Sequence, residues 1–148
     1  MVCSPKLNVS AIIVEKLLLL SRADVGALTL MKETLNFSAI CYELVEDAQI
    51  LAEPKRVTTE FEISPDVQVL ADESFLRRLL LNLLDNAIKY NVEGGSLSIS
   101  LTKSGELAVF RIANSGPGIS KEHENRVFER FYRADPSRSS DTSGSGLG

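Results

Sequence analysis

The sequence predicts an α+β two-layer sandwich, a mixed β-sheet with helices on one face. Three observations predict it. Residues 38–52 and the stretch after Asp72 repeat apolar side chains at helical spacing. Residues 57–63 and 97–101 alternate apolar and polar residues with the period of half-buried strands, and 67–71 and 107–113 mark two further strands. The two kinds of segment interleave along a single chain of 148 residues, enough for one ordinary domain with a core.

The elements follow in order. Val9 to Arg22 reads as a helix, with Val9, Ile12, Ile13, Leu17 and Leu20 near helical spacing. It serves either as a core helix or as one partner in a helical pairing interface. Ala23 to Gly26 ends it, with Gly26 as the C-cap. Leu28 to Phe37 holds a short strand and its lead-in. Ser38 is placed to cap a helix running to about Ala52, whose buried face is Ile40, Leu44, Ala48 and Leu51. Pro54 stops that helix. Val57, Thr59, Phe61 and Ile63 form one face of a strand, Ser64-Pro65-Asp66 turns the chain, and Val67, Val69 and Ala71 mark the next strand. Asp72 is an N-cap for the helix that contains LRRLLLNLLDNAIK. Gly94-Gly95 follows that helix. Leu97, Ile99 and Leu101 then point one way along a strand, Lys103 to Glu106 turns a hairpin, and Leu107 to Ala113 returns.

After Ala113 the texture changes. Asn114-Ser115-Gly116-Pro117-Gly118 is a glycine-rich turn, a short helix covers about Glu122 to Tyr132, and Asp135 to Gly146 is nearly devoid of apolar residues, as in a mobile loop. Gly144-Ser145-Gly146-Leu147-Gly148 forms a second glycine cluster.

Composition narrows the function classes. Hydrophobic content of 44% and charged content of 24% are globular values. A net charge of −4 gives no general attraction for nucleic acid, so any anionic ligand must be met by a few local cations. Cys3 and Cys41 lack metal or redox spacing, which fits a reducing compartment. The apolar patch from Ala11 to Leu20 is too short to span a membrane, and Glu15 and Lys16 interrupt it as a signal-peptide core.

The helix after Asp72 carries the chemistry. At about 100° per residue, Phe75, Leu76, Leu79, Leu80, Leu83, Leu84, Ala87 and Ile88 share an apolar face, opposite Arg78, Asn82, Asp85, Asn86 and Lys89. A merely solvated face needs no asparagine, which favours helices less than Glu, Lys or Gln. Asn82, Asn86 and Lys89 instead stack on successive turns. Two amide oxygens and an ammonium in one stripe suit a hard cation held beside phosphate. Gly116 and Gly118 allow backbone to approach a flat ligand or to adopt positive φ. Gly144, Gly146 and Gly148 can offer backbone N–H groups to phosphates. Neither cluster is a Walker loop.

Taken together, these segments resemble a known family. NLLDNAIKYN (Asn82–Asn91) resembles the N box of bacterial sensor histidine kinases, NSGPGIS their first glycine box, RVFERFYRAD their phenylalanine box and GSGLG the start of their second glycine box, in family order and spacing. VEKLLLLSRADVG resembles the end of the second helix of their dimerisation hairpin. The resemblance covers nearly the whole chain. It implies the Bergerat-type ATP-binding sandwich shared with gyrase and heat-shock-90-type ATPases. Residues 1–26 would be the end of the hairpin helix and a linker, and residues 27–148 a catalytic ATP-binding domain incomplete at its C-terminus.

The implied activity is transfer of the γ-phosphoryl group of Mg·ATP to a histidine on the dimerisation hairpin, and from there to the receiver domain of a response regulator. Asn86 and Asn82 would hold Mg²⁺. Lys89 and Tyr90 would face the phosphates. Asn114, Gly116, Gly118 and Ile119 would line the adenine pocket. Phe128 and Phe131 would anchor the lid, Arg133 or Arg138 would reach the γ-phosphate, and Gly144, Gly146, Leu147 and Gly148 would line the triphosphate. The partners implied are ATP, the hairpin of a homodimeric kinase and a response regulator, with no nucleic acid. The location implied is the cytoplasmic side of the inner membrane, with any anchor in segments outside this chain.

Three departures shape the expectation. Asn114 stands where the family has an aspartate, and a neutral acceptor costs about 1 kcal/mol in one hydrogen bond. The only histidine, His123, lacks the sequence context of the family's phosphoacceptor and reads as a surface residue of the lid helix, so no catalytic residue is assigned within this chain. The second glycine box is cut short. The chain is therefore expected to behave as a fragment that binds nucleotide poorly, associates weakly and does not autophosphorylate alone. The competing expectations are a nucleotide-binding module without transfer activity and a related ATPase-superfamily kinase of the anti-sigma serine type.

Overall fold

A computed structural model describes residues 29–126 and Glu129 of the chain. Leu30–Ile119 form one compact unit. Among the described residues, Thr29 and those from Ser120 onward fall outside it, and Lys121–Glu124 makes a single helical turn.

Within Leu30–Ile119 the order is β1 (Glu33–Asn36), α1 (Phe37–Ala52), a 3₁₀ turn (Glu53–Lys55), β2 (Thr58–Ile63), β3 (Gln68–Ala71), α2 (Glu73–Lys89), β4 (Ser96–Ser104) and β5 (Leu107–Asn114). The strands pair in two groups. β1 and β3 form an antiparallel ribbon, with Leu35 opposite Val69. β4 is the central strand of a mixed three-stranded sheet, parallel to β2 and antiparallel to β5. The parallel β2–β4 pair requires a long crossover, and the chain between them holds β3 and α2.

Both helices cover one face of this sheet, as the sequence predicts. β4 shows why. Leu97, Ile99 and Leu101 are completely buried, while Ser96 before them and Ser98 between them are exposed. α1 meets them with Phe37, Ile40, Cys41, Leu44, Val45 and Ala48, and α2 with Leu80, Leu84 and Ala87. Each large aliphatic side chain buried here is worth about 1.5–3 kcal/mol. Phe37 also lies 6.0 Å, ring centroid to centroid, from Phe110 of β5.

Several expectations need correction. Asn36, not Ser38, caps α1: its side chain accepts from the Ala39 N–H at 3.1 Å. Ser38 is instead buried, donating to the Ser64 carbonyl at 2.7 Å and accepting from the Val67 N–H at 2.9 Å, so its hydroxyl ties α1 to the turn before β3. Leu51 is half exposed, and Ala52 takes the inward position at the end of α1. Leu79 also lies largely in solvent, outside the buried stripe of α2. The hairpin turn is tighter than expected: β4 runs to Ser104 and only Gly105-Glu106 remain, with Gly105 at a φ of +61°. Asp72 does cap α2, accepting from Ser74 and Phe75 N–H groups and also from the Met31 N–H, which fastens the lead-in to β1.

The helix expected over Val9–Arg22, its expected cap Gly26 and the loop expected at 135–146 lie outside the described residues. Among the described residues no helix is long and apolar enough to cross a membrane.

Candidate functional site: the end of α2 and the glycine turn

The topology fixes where the polar stripe ends. α2 closes at Lys89, and a short turn containing Gly94 and Gly95 leads into β4. β5 runs antiparallel to β4 and finishes beside its start, with Asn114 opposite Leu97. The C-terminal end of α2 and the turn after Asn114 therefore share one end of the sheet.

Asn86 is exposed, Asn82 and Lys89 are half-buried, and Tyr90 is half-exposed. Among the described residues no side-chain hydrogen bond engages the amide of Asn82 or Asn86. The Lys89 ammonium sits 5.5 Å from the centre of the Tyr90 ring, a cation–π contact that holds both side chains at the helix end. Asn114 is exposed, with its Nδ2 at 3.5 Å from the Tyr90 carbonyl oxygen.

Gly116 brings the two parts together. A Cβ at this position would fall on the Tyr90 carbonyl oxygen and within 2.6 Å of Asn114 Nδ2. Only glycine lets the turn lie this close to the end of α2. Gly118 has a φ of +72°, the left-handed region that L side chains avoid. Ile119 follows, half-exposed.

Four residues important to this arrangement were missed from sequence. Asn91 is buried and its whole amide is used: Nδ2 donates to the Ser96 carbonyl at 2.9 Å, and Oδ1 accepts from the Val92 N–H at 2.9 Å and from Ser115 Oγ at 3.0 Å. Ser115 Oγ accepts in turn from the Ser96 N–H at 2.8 Å. Gly95 leaves room for this: a Cβ there would fall on Ser115 Oγ and 2.5 Å from Asn91 Oδ1. Lys55, from the 3₁₀ turn after α1, donates to the carbonyls of Ile88 and Lys89, both at 2.8 Å. A cation here answers the negative pole of the α2 dipole. Asn91 and Ser115 stand inside the two quoted motifs, so their position was the available signal; Lys55 had none.

The arrangement can hold a hard cation through amide oxygens on α2 and can place backbone against a flat ligand at the glycine turn. Phe128, Phe131, Arg133, Arg138, Gly144, Gly146, Leu147 and Gly148 lie outside the described residues.

A family model described as histidine kinase-, DNA gyrase B- and HSP90-like ATPase matches residues 71–148, more than half of the chain. The chain belongs to this ATPase family. Its curated relatives are sensor histidine kinases. Sensor histidine kinase CusS of Escherichia coli is 36% identical over 135 residues, covering 91% of this chain and 28% of its own length. Sensor protein SphS of Synechococcus elongatus is 37% identical over 143 residues, covering 92% of this chain and 35% of its own length. The chain thus spans about a third or less of the relatives it matches. Among solved structures, full-length ShkA in complex with AMPPNP superposes with a TM-score of 0.75 at 27% identity, over 90% of this chain and 27% of that one. For this histidine kinase-like ATPase, the sandwich with both helices on one face of a mixed sheet is the family's fold.

Proposed function

We propose that this chain carries the ATP-binding catalytic part of a sensor histidine kinase, with residues 27–148 forming that domain and residues 1–26 the end of a dimerisation helix. ATP donates its γ-phosphoryl group to a histidine on the dimerisation hairpin, outside this chain, and a response regulator receives it next. The full-length protein would be a homodimer anchored in the inner membrane, with this part on the cytoplasmic side.

The observation that carries this proposal is the close approach of Gly116 to the Tyr90 carbonyl, which brings the adenine-type turn to the end of the helix bearing Asn82, Asn86 and Lys89. The residues present fit a nucleotide with a divalent ion. Asn86 and Asn82 supply neutral oxygen donors suited to Mg²⁺, which neutralises phosphate charge when bound. Lys89 and Tyr90 present a cation and a hydroxyl to the phosphates. Asn114 accepts from the base, and Gly116, Gly118 and Ile119 form the surface beneath it. Arg133, Arg138, Gly144, Gly146, Leu147 and Gly148 would complete the triphosphate site, with Phe131 seating the lid.

The test is a transfer assay with γ-labelled ATP, Mg²⁺ and the separately produced cognate hairpin. Label appearing on the hairpin histidine supports the proposal. Nucleotide binding without any labelled hairpin would reassign the chain to a binding module.

A further inference from the structure

Asn91 and Ser115 do no chemistry, yet they join the two halves of the site. Asn91 is the first residue beyond the end of α2 after Tyr90, and Ser115 lies between Asn114 and Gly116. Their contact at 3.0 Å joins the helix end to the glycine turn side chain to side chain, beside the longer 3.5 Å contact of Asn114 Nδ2 with the Tyr90 carbonyl, and both also grip Ser96 at the start of β4. Asn91 is 8% exposed and Gly95 has no Cβ to separate it from Ser115, so the link is packed from behind as well as bonded.

We infer that the Asn91–Ser115 pair is a positioning latch that fixes the separation between the metal–phosphate stripe on α2 and the base-binding turn. The inference rests on the proposed nucleotide-binding function. A ligand that occupies both subsites gains affinity over its parts because the second contact is made at a high effective concentration, and that gain requires subsites held at the right spacing. Loosening the latch costs the joined ligand its gain and leaves each part's own binding in place. A structural residue has a different signature, because lowered stability alone changes all ligands alike.

The experiment uses the full chain and Ser115→Ala, a change at an exposed position. Three probes are titrated calorimetrically: adenosine, inorganic triphosphate with Mg²⁺, and a non-hydrolysable ATP analogue with Mg²⁺. Ser115→Ala is expected to weaken the analogue by about tenfold, with adenosine and triphosphate each within about twofold of the wild type. Ile99→Val, which trims the core away from the site, controls for stability and should keep the wild-type ratio among the three probes. If Ser115→Ala weakens all three probes equally, or none, the latch is overturned while the nucleotide site stands. If the wild-type chain shows no Mg²⁺-dependent binding of the analogue, the proposed function itself falls, and the latch with it.

Discussion

The ammonium of Lys55 lies 2.8 Å from the carbonyl oxygen of Lys89, across 34 residues of sequence. It makes an equal contact with Ile88, whose carbonyl also accepts from the Asn91 N–H at 3.2 Å, so one side chain bonds two carbonyls of the last turn of α2. Lys55→Met keeps most of the aliphatic stem and removes both bonds. It should lower unfolding stability by about 1–2 kcal/mol, read as a lower urea midpoint at unchanged slope. Because the capped carbonyls adjoin Tyr90, the variant should also weaken nucleotide binding. An unchanged midpoint would mean that water replaces the cation without loss.

Gly116→Ala tests the close approach of the glycine turn to α2. The methyl group meets a backbone carbonyl, which cannot rotate away as a side-chain tip can. Overpacking of this kind costs about 1–3 kcal/mol and should displace the turn from the helix end. The expected outcome is a lower melting temperature together with loss of analogue binding. Gly105→Ala, at a turn with open space around it but a φ of +61°, should reduce stability without touching the ligand.

Acid should act through two carboxylates. The Ser74 hydroxyl, with the Met31 amide, holds the Asp72 carboxyl below the usual range, and Arg77 does the same for Glu43 across the α1–α2 gap. A depressed folded pKa means the stabilising contribution is complete above the unfolded value, about 4, and is lost as pH falls through the lower folded value. Asp72→Asn keeps a good cap but does not titrate. Combined with Glu43→Gln, it should flatten the fall in urea midpoint as the pH drops below about 4. An equally steep fall would place the acid sensitivity elsewhere.

The Cys41 thiol responds in the opposite direction. Burial pushes its pKa from an ordinary value near 9 up to about 12. The folded chain therefore resists thiolate formation. Its contribution to stability is intact below about pH 9 and is lost as pH rises from there through about 12. In a Cys3→Ser background, the native protein should react slowly with a thiol reagent at neutral pH, and urea should release the reaction at the unfolding midpoint. Fast labelling of Cys41 in native protein would contradict its place in the core.

Much of the fold was legible because its determinants are local. Leu97, Ile99 and Leu101 alternate within one strand, and Asp72 caps a helix two and three residues away. Ser38 was misread because its hydroxyl bonds Ser64 and Val67, 26 and 29 residues on, while Asn36 already met the cap. The stripe of Asn82, Asn86 and Lys89 could be read from helical spacing alone. The packing that gives it a neighbour could not: Asn91 meets Ser115 and Tyr90 meets Gly116 only after β4 and β5 have paired.

The most direct test of the central claim is the Mg²⁺ dependence of nucleotide binding in Asn86→Ala. Titrating an ATP analogue with and without Mg²⁺ should show the wild-type chain gaining affinity from the ion, and the variant losing about tenfold or more in Mg²⁺ while binding equally without it. If the Mg²⁺-dependent gain is the same in both proteins, the amide stripe of α2 does not hold the ion.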